Sequence, residues 1–286
     1  MSICWLNGEF LPLEDAKIHV LDRGFIFGDS IYEVIPVYGG KLFRLEEHLQ
    51  RLINNLAAVK IDPKLNVQEL RGLLEALVEH NGSGDLSVYV QVSRGVAARD
   101  HAFPELCLAT IFAMANPLVG CSEKTLSEGA SAITLDDIRW RYCHIKTTSL
   151  LANILLRQQA LEEDATEAIL IRDGLVTEGA ASNLFLVVDT VLLTPPKSTF
   201  LLPGITRDLI LELATKQNIA YKECDIEQST LNSASEIWLS SSTKEIVPVT
   251  RLNGKQVGNG KPGNLWVQMN THFQNYKDKV RQGLIN

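Results

Sequence analysis

Apolar residues in this chain recur with two different periods in separate short stretches, and that pattern constrains the fold more than any other feature. Leu45, Leu49, Leu52, Leu56 and Val59 repeat at helical spacing, as do Val67, Leu70, Leu74 and Leu77 after the Asp62-Pro63 break. Leu86, Val88, Val90 and Val92 instead alternate with polar residues, which predicts a half-buried strand. The run Leu106 to Met114 is apolar enough to predict a strand buried on both faces. Asn7-Gly8 and Gly39-Gly40 predict hairpins, because such pairs tolerate the left-handed backbone of a tight turn.

Ala115-Asn116-Pro117 closes this part, and the polar stretch Ser122 to Gly129 follows. The expected organisation is a smaller N-terminal α/β domain over 1–115, a linker over 116–122 and a larger strand-rich domain over 123–286. In the latter, Glu167 to Arg172, Leu184 to Val188, Val191 to Thr194, Glu236 to Ser240 and Val247 to Val249 have strand composition, with turns at Asp173-Gly174 and Asn253-Gly254. Helices are expected at Leu150 to Leu161, Thr206 to Lys216 and around Leu265 to Val280. The fold class is therefore α+β in two domains.

With 27 Lys plus Arg against 34 Asp plus Glu, the formal charge of −7 argues against nonspecific nucleic-acid binding. Any anionic ligand must then be held by local positive groups. No apolar stretch approaches the length of a membrane span, and Met1 to Gly8 has neither a signal nor a transit pattern. Cys4, Cys107, Cys121, Cys143 and Cys224 are scattered without metal-ligand spacing, so we expect small buried reduced thiols, a cytoplasmic location and no metal site.

Three places carry candidate chemistry. Lys146 lies between Arg139-Trp140-Arg141-Tyr142-Cys143-His144-Ile145 and Thr147-Thr148-Ser149, in a segment that joins a strand pattern to a helix. Partial burial among Trp140, Tyr142 and Ile145 would disfavour its ammonium form, and only the neutral amine forms a Schiff base. Pro203-Gly204-Ile205-Thr206 precedes a helix, so the N–H groups of Ile205 and Thr206 can face an anion, with the Thr206 hydroxyl adding a contact. Arg99 and His101, together with the Tyr32 hydroxyl, offer donors suited to a carboxylate. Read singly, these are a surface lysine, a helix cap and a polar loop; their order along the chain gives them meaning.

Leu21-Asp22-Arg23-Gly24-Phe25-Ile26-Phe27-Gly28-Asp29 with Tyr32-Glu33 resembles the N-terminal motif of the fold-type IV pyridoxal-phosphate enzymes. Val176-Thr177-Glu178-Gly179-Ala180-Ala181-Ser182-Asn183-Leu184-Phe185 resembles that family's signature, and Lys146 stands between the two at a matching separation. The likeness is collinear over nearly the whole chain and, among the branches, looks most like the D-alanine (D-amino-acid) aminotransferases. It implies the two-domain fold of that family, with 123–286 binding pyridoxal 5'-phosphate and Lys146 carrying it in a Schiff base. It further implies Glu178 at the pyridine nitrogen, Leu202 against the ring, and Arg51, Ile205, Thr206, Ser241 and Ser242 around the phosphate.

The same resemblance implies that Tyr32, Arg99 and His101 hold the substrate carboxylate. The Arg-x-His pair would come from the neighbouring subunit of a homodimer, whose active site lies at the subunit interface. The implied reaction moves the amino group of a D-amino acid such as D-alanine to a 2-oxo acid, 2-oxoglutarate or pyruvate; partners are these small molecules, with no nucleic acid and no membrane. Branched-chain L-amino-acid aminotransferases, (R)-amine transaminases and aminodeoxychorismate lyases share the fold, and the Arg99/His101 pair speaks against them. A noncatalytic scaffold is disfavoured by the presence of the whole set. One departure from the branch is Ala180-Ala181, which stands where hydroxyls are usual, so preferred substrates are expected to differ.

Overall fold

Asn7 and Gly8, at φ of 49° and 109°, turn the chain between β1 (Ile3–Leu6) and β2 (Glu9–Pro12), as the pair predicts. The computed structural model describes residues 2–82 and 84–285. Met1, Ser83 and Asn286, which the expected domain ranges include, lie outside the described residues. Asp22 caps α1 (Arg23–Phe27) by accepting from the Gly24 N–H, and Gly28 ends it at φ 66°. Then come β3 (Ser30–Tyr38), β4 (Lys41–Leu42), α2 (Leu45–Ala58) and α3 (Val67–Asn81), the last opened by a capping box between Asn66 and Glu69. The strands β5 (Leu86–Ser93) and β6 (Thr110–Pro117) complete an antiparallel six-stranded sheet in the order β2-β1-β6-β5-β3-β4. Its core joins Ile35, Val88 and Val90 of the strands to Leu49, Leu52, Leu70 and Leu74 of the helices. Burying such a side chain fully contributes about 1.5–3 kcal/mol.

One expectation fails here. Leu106 to Met114 is not a strand buried on both faces: β6 starts at Thr110, and Leu106 and Leu108 are 95% and 79% exposed. Both edges of β6 are paired, but its Ile111, Ala113 and Ala115 alone are buried, while Thr110, Phe112 and Met114 are half-buried on the other face. Its last residues, Asn116 and Pro117, fall in the expected linker.

The polar stretch after Ser122 is a short helix, α4 (Glu123–Glu128), started by Ser122 Oγ accepting from the Thr125 N–H. It is followed by β7 (Ala130–Asp136), α5 (Leu151–Glu162), β8 (Glu167–Arg172), β9 (Leu175–Gly179), β10 (Asn183–Val188), β11 (Val191–Thr194) and α6 (Ile205–Lys216). The chain ends with β12 (Tyr221–Glu223), β13 (Glu236–Ser241), β14 (Glu245–Leu252), β15 (Lys255–Gln256) and α7 (Asn264–Arg281). These strands form a mixed sheet in the order β12-β11-β10-β13-β14-β7-β8-β9, with β15 on β14. Successive residues of β8 feed two cores, Ile169 and Ile171 one, Ala168 and Leu170 the other, which explains its unbroken apolar run.

The chain divides into two compact units, Met1–Leu118 with Ile145–Ser149 and Lys277–Asn286, and Val119–His144 with Leu150–Tyr276. Among the described residues no helix is long and apolar enough to cross a membrane, and all five cysteines are free, with Cys4 and Cys143 buried and Cys107, Cys121 and Cys224 only half-buried.

Candidate active site

Lys146 sits in a segment bridged to β3 through Ile31 and Thr147. The Tyr32 N–H donates to the Lys146 carbonyl at 3.0 Å, and the Thr148 N–H donates to Ser30 O at 3.1 Å. The hydroxyls of Thr147, Thr148 and Ser149 all converge on the Gly28 carbonyl, at 3.3, 3.1 and 3.2 Å. Gly28 must be glycine twice over, since its φ is 66° and an added Cβ would fall 2.7 Å from Ser149 Oγ. This pairing brings Lys146 Nζ to 4.3 Å from the centre of the Tyr32 ring, a cation–π contact. The amine is half-buried and, among the described residues, has no hydrogen bond or ion pair. Of the three side chains expected to bury it, only Ile145 is itself buried; Trp140 and Tyr142 are 47% and 56% exposed.

Successive strand residues face opposite ways, so Glu33 points away from Tyr32 into the core beneath α2. Its carboxylate accepts from Arg51 Nε and Nη2 at 2.7 and 2.9 Å and pairs with His48 Nδ1 at 2.8 Å. His48 and Arg51 are one helical turn apart on α2, and all three side chains are buried. Burial alone would raise the Glu33 carboxyl, but Arg51 and His48 outweigh it and hold it well below the usual range. Burial also lowers the pKa of His48, against the pull of Glu33. Sequence reasoning named Arg51 as a phosphate contact and did not name Glu33 and His48, although Glu33 lies within the N-terminal motif and His48 stands three residues before Arg51.

Arg99 and His101 are exposed on the loop between β5 and β6. Both rest on Phe27, the Arg99 guanidinium 5.4 Å from the ring centre and the His101 ring 5.5 Å away. Among the described residues no recorded contact joins either to Tyr32, which stacks instead on Tyr89.

In the second unit Glu178 is 4% exposed on β9. Its Oε1 accepts from Arg139 Nη1 at 2.5 Å, and its Oε2 accepts from Asn183 Nδ2 and the Leu202 N–H, both at 3.0 Å. Arg139 is held in turn by Asp137, through Nε and Nη2 at 2.9 Å each. Burial dominates at the Glu178 carboxyl and pushes it up to about 7, with Arg139 opposing. Burial works against the Arg139 cation, but Asp137 and Glu178 together keep it charged. Asp137, Arg139 and Asn183 were not predicted as site residues, although Arg139 opens the lysine segment and Asn183 belongs to the second motif.

The Leu202 N–H on Glu178 ties the chain entering α6 to the carboxylate. Ile205 and Thr206 are buried at the start of α6, and Gly204 before them supplies no side-chain cap. A Cβ at Gly204 would lie 1.9 Å from Asn183 Oδ1. The opening N–H groups of α6 thus receive no side-chain acceptor from their N-cap residue. Ser241 ends β13, where its Oγ accepts from the Lys244 N–H at 3.3 Å, and the neighbouring Ser242 hydroxyl has no hydrogen bond among the described residues. At the alanine pair, Ala180 is buried and Ser182 Oγ is turned to Glu167 at 3.1 Å, so Asn183 is the polar side chain of this turn that serves Glu178.

An amine without an ion partner can react covalently and move protons, a buried carboxyl poised near neutrality can serve a basic ring nitrogen, and an uncapped helix start suits a phosphate. Residues 30–252 match the amino-transferase class IV family, and the chain belongs to that family of pyridoxal-phosphate-dependent aminotransferases of fold type IV. It is 40% identical over 269 residues to the D-alanine aminotransferase of Bacillus licheniformis, covering 94% of this chain and 95% of that one. It is also 40% identical over 270 residues to the D-alanine aminotransferase of Listeria monocytogenes, with 94% and 93% covered. Among solved structures, the Escherichia coli branched-chain amino acid aminotransferase superposes with a TM-score of 0.92 at 28% identity over 96% of this chain and 94% of that one. A T.th. branched-chain amino acid aminotransferase with pyridoxamine 5'-phosphate, at 24% identity, shares the fold with a TM-score of 0.91 over 99% and 94%. The cofactor is pyridoxal 5'-phosphate, and the donor set described above fits its aldehyde, ring nitrogen and phosphate.

Proposed function

We propose that the protein transfers the amino group of a D-amino acid of the D-alanine type to a 2-oxo acid such as 2-oxoglutarate or pyruvate, with Lys146 holding the cofactor. The observation that carries this reading is the exposed Arg99/His101 pair seated on Phe27, in a chain 40% identical over nearly its full length to D-alanine aminotransferases. Arg99, His101 and the Tyr32 hydroxyl bind the substrate's α-carboxylate and so fix which Cα hydrogen is presented. Lys146 Nζ, held over the Tyr32 ring, takes that proton from Cα and returns it as general base and acid. Glu178 holds a proton at the ring nitrogen, and Leu202 packs against the ring face. Arg51, the N–H groups of Ile205 and Thr206, and the hydroxyls of Thr206, Ser241 and Ser242 hold the phosphate. Pyridoxal 5'-phosphate supplies the electron sink and the carbon that carries the amino group between the two halves of the reaction.

The reading includes a homodimer. Phe25, Val96, Phe103, Leu106 and Leu108 are exposed beside or within the segment that carries Arg99 and His101, and an apolar surface of this kind is suited to cover by a second copy. That copy would receive Arg99 and His101 into its own site. A cytoplasmic location, and a division of labour between residues 1–115 and a cofactor-binding 123–286 linked by 116–122, belong to the same proposal. The test is incubation with D-alanine and 2-oxoglutarate, which yields pyruvate and D-glutamate by chiral chromatography. Clear preference for L-alanine or L-leucine would overturn the D assignment, and light scattering at monomer mass would overturn the dimer.

A further inference from the structure

Arg99 and His101 make no side-chain hydrogen bonds among the described residues, so their aim depends on what lies beneath the loop. Arg23, 4% exposed at the start of α1, holds that loop from below. Its Nε donates to Asp29 Oδ2 at 2.8 Å, and its Nη1 donates to the carbonyls of Asp100 and Ala102 at 2.6 and 3.3 Å. Those two carbonyls bracket His101. Asp29 is shared with Arg94, whose Nε and Nη2 lie 2.8 and 3.0 Å from its oxygens, and Arg94 stacks over Phe103 at 3.7 Å. Phe27 closes the arrangement, with the Arg23 guanidinium 4.9 Å from its ring centre and Arg99 and His101 at 5.4 and 5.5 Å.

We infer that Arg23 and Phe27 are positioning residues that set Arg99 and His101 for the substrate carboxylate. The inference rests on the reading of that pair as the carboxylate trap. A guanidinium fork grips a carboxylate only when the two planes align, and a loop that must be ordered on binding subtracts that cost from affinity. Arg23 removes the cost in advance: its planar fork reaches a carboxylate and two carbonyls from separate nitrogens held in fixed directions, whereas a lysine ammonium offers one freely turning nitrogen. Phe27 supplies the flat face on which the Arg99 guanidinium is oriented. Loss of Arg23 frees the loop carbonyls but leaves Asp29 with both bonds from Arg94, so no buried charge is left alone.

The experiment compares wild type, Arg23→Gln, Phe27→Leu and Arg99→Ala, each loaded with cofactor. The readouts are KM for D-alanine, Ki for propionate as an unreactive carboxylate, kcat, and cofactor bound per chain by absorbance. Arg23→Gln and Phe27→Leu are expected to raise KM and Ki together by about ten- to a hundredfold, with kcat and cofactor content within about threefold of wild type. If Arg99→Ala raises KM while both other variants leave KM and Ki unchanged, the inference is wrong and the trap stands. If both variants lose cofactor and kcat in step with KM, their role is merely structural and the inference is again wrong. If Arg99→Ala itself leaves KM and Ki unchanged, the trap reading falls and takes the inference with it. Should Arg23→Gln fail to fold, Phe27→Leu decides alone.

Discussion

Glu178→Gln removes a carboxyl whose pKa burial has raised from an ordinary 4.5 to about 7. A raised pKa means that the folded chain binds the proton more tightly than the unfolded chain, so the group's contribution to stability is fully present below 4.5 and is lost as pH rises through about 7. At roughly 1.4 kcal/mol per pH unit, the loss across that window is about 3 kcal/mol. His48 acts in the opposite sense. Its pKa is lowered by burial from 6.5, so its contribution is present above 6.5 and lost as pH falls through the folded value. The two windows overlap, and only the difference between wild type and variant isolates Glu178. Glutamine keeps the shape of the side chain, and Arg139 keeps both of its bonds to Asp137. Urea unfolding of the two apoproteins between about pH 4.5 and 8 should show wild type losing about 3 kcal/mol relative to the variant as pH rises. A difference that stays flat, or that moves in favour of wild type, would mean that Arg139 outweighs burial and that the carboxylate is ionised throughout.

Three further outcomes follow from the same geometry. Lys146→Ala should lower transamination by at least about 10³-fold and abolish borohydride trapping of the cofactor on the chain; a reduced adduct mapped to another residue would contradict the assignment. Arg51→Ala strips the buried Glu33 of its fork and should cost about 3–5 kcal/mol in unfolding free energy, with Arg51→Lys milder because it keeps the charge. Gly204→Ala drives a Cβ to 1.9 Å from Asn183 Oδ1, so it should destabilise the chain by about 1–3 kcal/mol and reduce bound cofactor by absorbance.

Where periodicity carries the fold, the sequence was readable. α2 and α3 follow the leucine spacing, because there the buried face alone decides the structure, and β8 and β11 begin and end at the residues that their strand composition predicts. Composition misled where burial depended on distant cover: Leu106 and Leu108 look like core residues but stay exposed, since nothing in a local window reveals which face a helix will cover. The same limit applies at the site. Lys146, Glu178 and Arg51 were named from the family resemblance; Glu33 and Asn183 lie in its motifs but, like Asp137, Arg139 and His48, show their part only through the bonds made around Arg51 and Glu178. Their partners lie up to dozens of positions away, as with Arg139 and Glu178, and pairing over that distance leaves no mark in spacing.

The order of residues in β3 explains why this part of the site takes the form it does. Tyr32 and Glu33 are neighbours in sequence, so the pleat sends one to the amine of Lys146 and the other to Arg51 and His48. A slip of one residue would exchange them, placing a carboxylate under the amine and a phenol in the core. The antiparallel register from Ser30 opposite Ser93 to Val37 opposite Leu86 resists such a slip, and so does the tight approach of Gly28 to Ser149. The surroundings of the Lys146 amine and of the Arg51 guanidinium are thus fixed by a single strand register. The influence is electrical as well as geometric, since the Lys146 charge adds to the lowering of the His48 pKa. Any substitution that shifts β3 should therefore disturb amine placement and Arg51 placement together, whereas changes confined to α2 should reach only the second.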